Sequence, residues 1–171
     1  MKNTGAVYEA RTYGSVRGMR RKPHPTRCLK TVREYQYSEF EMSKVERSEQ
    51  EWREILDDET YRVTREQGTE YPGTGKYLDH NEDGSYACIC CGQLLFGSEQ
   101  KFDSHCGWPS FDNCIEGSVE FRNDHSHGMT RVEIVCSRCD SHLGHVFDDG
   151  PTDTGKRFCV NSVSLSFNSK L

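Results

Sequence analysis

The chain has 171 residues, 29% of them charged and 33% hydrophobic, with a net charge of −5: enough for one domain of ordinary size and a tail. Its apolar runs are only a few residues long, which excludes a membrane-spanning helix and leaves no apolar signal-peptide core near the start. Residues 1–30 hold eight Lys or Arg against one acid, Glu9, a net of +7, so the remainder carries −12 and is a poor match for a phosphate backbone.

Residues 1–30 show no apolar period, and Gly, Arg and Pro are scattered through them. They read as a flexible arm or, being Arg-rich and almost free of acids, as an organelle-targeting segment. We place the end of this basic extension at residue 47 and assign 48–171 to the folded domain. The cytoplasm is the expected compartment, with the mitochondrion as the alternative if 1–30 act as a targeting segment. Ser48 then opens "SEQE", a capping box with Glu51 three residues on. Trp52, Ile55 and Leu56 follow on one helical face, which predicts a short helix over about 49–57.

From "QGTEYPGTGKY" onward Gly and Pro recur between short runs rich in Val, Ile, Phe and Tyr. "NEDG" reads as a turn, and "SYACIC", "SVEFR", "RVEIVC", "HVF" and "FCVNSVSLSF" read as strands. The expected domain is mainly antiparallel β, beginning near residue 60. In the last strand Val160, Ser162, Ser164 and Ser166 alternate with Cys159, Asn161, Val163, Leu165 and Phe167, so a cysteine and an asparagine begin the apolar face.

Nine cysteines are many for this length. Cys88 and Cys91 form one CxxC pair, and Cys136 and Cys139 a second. Each pair ends a strand and enters a turn. Brought together they offer four thiolates in a tetrahedron, the donor set of one structural Zn2+ per chain. Redox CxxC motifs are the rival reading. Cys90 is too close to Cys91 to serve in the same knuckle.

Outside that set, Cys106 lies in "KFDSHCGWPSF", beside Trp108 and a bend set by Gly107 and Pro109. Trp108 suits a core as well as a pocket. His142 and His145 stand i, i+3 in "HLGHVF", either structural or placed for proton transfer. Cys159 is either a small buried hydrophobe or a thiol aimed into a pocket.

Together "GTEYPGTG", "CGWPSF", "SHGM", "HLGHVFDDGP", "GKRFCVNSVSLSF" and the two CxxC pairs, in this order from about 60 to 167, resemble the type B methionine-R-sulfoxide reductases. The resemblance implies two small antiparallel sheets with short N-terminal helices and a four-cysteine zinc site. It implies Cys159 as nucleophile, Cys106 as resolving thiol, Trp108 on the substrate methyl group, and His142, His145 and Asn161 around the sulfoxide. It makes Cys88, Cys91, Cys136 and Cys139 the zinc ligands. Its partners are oxidised methionine-containing proteins as substrate and thioredoxin as reductant, with no nucleic acid or membrane, in a monomer.

Two positions depart from the family pattern: His105, where Gly is usual, and Val163, where Ala is usual. Arg157, two residues before Cys159, either lowers that thiol's pKa or is an exposed charge at a strand end. Cys28 and Cys114 are alternative resolving thiols. A non-catalytic zinc-binding interaction module is the competing function; it needs the four ligands but not Cys159, Cys106, His142, His145 and Asn161.

Overall fold

The computed structural model describes residues 43–170. The expectations for the basic arm, its targeting role and Cys28 therefore lie outside the described residues. Within them, α1 (Glu49–Ile55) and α2 (Asp58–Arg65) precede nine strands. The expectation of a β-rich domain with short N-terminal helices is met. No helix among the described residues is long and apolar enough to cross a membrane.

α1 begins where the capping box places it. Glu51 N donates to Ser48 Oγ at 3.3 Å, and Ser48 N donates to Glu51 Oε2 at 2.7 Å. Of the three residues expected to face the core, Trp52 is buried, whereas Ile55 is 53% exposed because the helix ends there. α2 has no counterpart in the sequence reading, which puts β structure from about residue 60. Asp57 caps it, accepting from Thr60 N at 2.9 Å. Thr60, Val63 and Thr64 are β-branched, poor local helix formers, and packing of their buried face overrides that preference.

Strands β1 (Gly84–Cys88), β2 (Leu94–Gly97) and β9 (Leu165–Ser169) make a three-stranded sheet in the order β2-β1-β9. The second sheet has six strands in the order β3-β4-β8-β7-β6-β5. These are β3 (Lys101–Phe102), β4 (Ser110–Phe111), β5 (Val119–Asp124), β6 (Arg131–Cys136), β7 (His142–Phe147) and β8 (Arg157–Val160). All pairings are antiparallel. The core lies between the sheets. Phe96 of β2 stacks on Phe111 of β4 at 4.3 Å between centroids, and Tyr86 of β1 meets the same ring at 5.1 Å. Burying such rings contributes about 2–3 kcal/mol each.

"FCVNSVSLSF" is not one strand. β8 ends at Val160, a 3-10 turn spans Ser162–Ser164, and β9 begins in the other sheet. Ser162 and Ser164, expected on the polar face, are buried, and their hydroxyls are used. Tyr77 N donates to Ser162 Oγ at 2.9 Å, and Ser164 Oγ donates to the His142 carbonyl at 3.0 Å. Local hydroxyl–backbone bonds of this kind compete with a sheet ladder and favour a turn. The faces also exchange. Phe158 and Val160 point into the core, so Cys159 points out of the opposite face.

β7 carries a bulge. Ile134 pairs with Gly144, but Val135 pairs with His142, leaving Leu143 as an extra residue. In a regular strand, residues three apart point to opposite faces. The extra residue puts His142 and His145 on the same one. Gly144 is needed here because a Cβ would collide with the Cys159 carbonyl oxygen of the neighbouring strand. Gly144→Ala is therefore expected to destabilise the domain by about 1–3 kcal/mol, seen as a lower melting temperature by circular dichroism; an unchanged melt would mean that β7 and β8 separate freely.

Candidate active site and metal centre

The register of the six-stranded sheet assembles the site. Ser110 of β4 pairs with Cys159 of β8, Cys159 with His145 of β7, and His145 with Glu133 of β6. Directly paired residues project from the same face as near neighbours. One row across the sheet thus presents a hydroxyl, a thiol, an imidazole and a carboxylate, with His142 brought in by the bulge.

Cys106 reaches this row from the loop between β3 and β4. Its Sγ lies 3.6 Å from Cys159 Sγ. The loop is clamped from outside: Gly73 N donates to the Gly107 carbonyl at 2.8 Å, and the Trp108 indole N–H donates to the Glu70 carbonyl at 3.1 Å. His105 adopts φ +54°, a left-handed conformation that costs a non-glycine residue about 1 kcal/mol. Its N–H donates to Asp103 Oδ1 at 2.9 Å, which holds the turn. The departure at this position thus falls where the backbone favours glycine.

The two thiols differ electrostatically. Burial pushes Cys159 up to about 12, and the neighbouring Cys106 sulfur adds to it; Arg157 acts the other way without prevailing. The Arg157 charge is already engaged, in a two-point pair with Asp149 at 2.8 Å for each bond, over the ring of Phe147. Burial also raises Cys106, but hydrogen bonds from Ser104 and Ser110, then Trp108 and Cys159, outweigh it and bring that thiol down to about 7. The Ser104 hydroxyl lies 3.0 Å, and that of Ser110 3.5 Å, from Cys106 Sγ.

Each histidine has its own carboxylate. His142 Nδ1 is 2.6 Å from Glu133 Oε1, and both residues are buried. His145 Nε2 is 2.8 Å from Asp124 Oδ2. Asp124 also bonds Ser126 N and Arg131. The Ser126 contacts, then His145, hold its carboxyl well below the usual range. Burial lowers the pKa of His145, with the Asp124 bond opposing.

Asn161 is buried, and both ends of its amide are occupied: Oδ1 accepts from Glu70 N at 3.0 Å, and Nδ2 donates to the Leu143 carbonyl at 3.1 Å. The first bond ties Asn161 to the segment that holds Trp108. The Glu70 carboxylate accepts from Val163 N at 2.8 Å through Oε2, and burial raises its pKa.

Sequence reasoning misses Glu70, Ser104, Ser110, Asp124 and Glu133. A carboxylate inside the apolar run "RVEIVC" is the available signal for Glu133. The others become visible only through contacts between distant segments.

The Cys88, Cys91, Cys136 and Cys139 sulfurs lie within 4.8 Å of one another. Cys88–Cys139 and Cys91–Cys136 are each 3.6 Å apart. Ideal tetrahedral ligation at the zinc–sulfur bond length places sulfurs about 3.8 Å apart, so the set fits such an ion. Two matched turns present it. Gly92 N donates to the Cys88 carbonyl at 2.8 Å and Asp140 N to the Cys136 carbonyl at 3.0 Å, and both donors have positive φ. Cys90 stands outside the four, its sulfur 3.5 Å from Ser141 Oγ. Cys114 is fully buried.

Two antiparallel sheets, a four-cysteine centre and a separate thiol pair beside paired histidines define a small β protein equipped for thiol chemistry. The SelR domain family matches residues 56–169. The chain is 59% identical over 129 residues to the peptide methionine sulfoxide reductase MsrB of Hahella chejuensis, covering 75% of this chain and 93% of that one. It is likewise 59% identical over 127 residues to MsrB of Chromohalobacter salexigens (73% and 96%) and 51% identical over 127 residues to MsrB of Herminiimonas arsenicoxydans (74% and 93%). The chain belongs to the SelR-domain family.

The thiol asymmetry is measurable. In the reduced protein, iodoacetamide should label Cys106 with a pH midpoint near 7, earlier than an ordinary thiol, because its lowered pKa makes thiolate available at lower pH. Cys159 should label only in strong alkali. Peptide mass mapping across pH reads both, and the reverse order would contradict the electrostatics above.

Proposed function

We propose that the chain reduces methionine R-sulfoxide in proteins to methionine by a two-thiol cycle. The observation that carries this is the 3.6 Å contact between Cys106 and Cys159, reached from segments 53 residues apart, on a face that also bears His142 and His145. The names of the relatives in Hahella chejuensis and in two other bacteria agree with it. A silent zinc module has no use for this second set of groups.

In the first step the Cys159 sulfur attacks the sulfoxide sulfur. Cys159 is protonated at rest, so its proton must leave as the attack begins. Asp124 takes up the Nε2 side of His145, which leaves Nδ1 of the ring opposite Cys159 as the acceptor. His142 delivers a proton to the sulfoxide oxygen. Oxygen passes to Cys159, so methionine leaves and Cys159 becomes a sulfenic acid.

In the second step the Cys106 sulfur attacks that sulfenic acid. A disulfide forms and the hydroxyl departs as water. A thiol near 7 is substantially ionised at neutral pH, which suits the attacking partner. A dithiol protein, thioredoxin, then reduces the Cys106–Cys159 disulfide by exchange, returning both thiols.

Trp108 supplies an apolar plane for the substrate S-methyl group and sorts the sulfur epimers by shape. Asn161 acts by holding Glu70, and through it the indole. Arg157 moderates the Cys159 thiol while paired with Asp149. Cys88, Cys91, Cys136 and Cys139 hold one structural Zn2+, whose chemistry is cross-linking and not turnover. The enzyme works as a monomer, and the cytoplasm is its proposed compartment.

With dithiothreitol the protein should reduce the R epimer and leave the S epimer. Cys159→Ser should abolish turnover while fold and metal persist; full activity in that variant would remove the proposed nucleophile. Cys106→Ser should convert one equivalent of substrate and then stall with thioredoxin as the reductant. Sustained turnover would assign resolution to another thiol. Metal analysis should find about one zinc per chain, and Cys136→Ser should lower zinc content and melting temperature together; an active, metal-free preparation would contradict the centre.

A further inference from the structure

The two histidine–carboxylate pairs are not equivalent. Asp124, partner of His145, also bonds the Arg131 guanidinium at 2.7 Å, so its charge is already balanced. Glu133, partner of His142, has no such neutraliser among the described residues. Its two cross-strand partners are both basic but engaged elsewhere: His145 of β7 bonds Asp124, and Arg122 of β5 bonds Glu120 and Asp140. The polar contacts of the Glu133 carboxylate are His142 Nδ1 at 2.6 Å and the neutral Gln67 amide, which donates at 3.3 and 3.4 Å to its two oxygens.

A buried carboxylate is costly unless something answers its charge. Val135, on the same face of the same strand, shows that an apolar residue packs well there. The Glu133 carboxyl is nonetheless held below its usual range, chiefly by the His142 bond, so it stands as an anion facing the ring. An anion on Nδ1 selects the tautomer with the proton there. Nε2 is then the nitrogen left to exchange a proton with a ligand. Of the two imidazoles, His142 is the one whose positive charge the surroundings are built to accept.

We propose that Glu133 is a positioning residue of the reduction: its uncommitted carboxylate fixes the His142 ring through Nδ1–H and balances the imidazolium whose Nε2 delivers the proton to the sulfoxide oxygen. Gln67, at positive φ after α2, holds the carboxylate from the other side. This rests on the proton-donor role of His142 stated above. Glu133 touches neither substrate nor thiol. Its effect passes through the ring, and so it falls on the chemical step.

The test compares wild type, Glu133→Gln, His142→Asn and the double variant on a peptide carrying methionine R-sulfoxide, with dithiothreitol as reductant. Gln keeps an oxygen acceptor and removes only the charge. The expected result for Glu133→Gln is a kcat lower by about 10- to 100-fold, with KM within about twofold and unchanged zinc content. Adding Glu133→Gln to His142→Asn should cost nothing more. A 15N imidazole spectrum of the wild type should show His142 protonated at Nδ1, a readout that stands even if the Gln variant fails to fold. Wild-type kinetics in Glu133→Gln beside an inactive His142→Asn would overturn this inference alone, as would a wild-type His142 bare at Nδ1. Full activity in His142→Asn would overturn the donor role itself, and this inference with it.

Discussion

The site depends on one register: Cys159 of β8 lies between Ser110 of β4 and His145 of β7, and His145 faces Glu133 of β6. Strand side chains alternate with a period of two, so a slip of β8 by one residue would turn Cys159 into the core and bring Phe158 and Val160 out. Register and core are therefore the same constraint. The rings that fill the space between the sheets hold the reactive row in line, and the row cannot move without losing their burial. The bulge at Leu143 adds His142 to a face that regular alternation would deny it.

That frame creates an electrostatic division between two identical functional groups. Cys159 projects half-buried from the sheet, and burial keeps its proton on despite Arg157. Cys106 lies in a loop whose serine hydroxyls and backbone solvate the anion, and it is the more acidic of the two. Proximity of a positive charge, which the sequence suggests through Arg157, proves weaker than desolvation, because the guanidinium is already answered by Asp149. A thiol kept neutral is also protected from adventitious oxidation, since the thiolate is the reactive form.

The four-cysteine centre is separate in place and purpose. One of its turns follows β1 of the smaller sheet and the other follows β6 of the larger. A metal held there would join the two layers at the end of the core. Arg65 of α2 reaches the same region, donating to the Cys139 carbonyl at 2.8 Å, and its guanidinium lies over Trp52 of α1. The helices are thereby fastened to the centre and not only to the sheet.

The sequence alone determined whatever local chemistry states outright. The capping box at Ser48, the paired CxxC turns and the β-rich runs are short-range signals, and the ordered motifs carried the family. It did not determine α2, whose Thr60, Val63 and Thr64 argue locally against a helix, nor the break at Ser162–Ser164, where alternation continues although the chain changes sheets. It named Cys106, Cys159, His142 and His145 but could not place them together. It passed over Glu133, Asp124, Ser104 and Ser110, whose meaning lies in partners far away along the chain. Those were decided by tertiary structure, because pairing register, a one-residue bulge and the burial of a charge are relations between strands, and no single segment contains them.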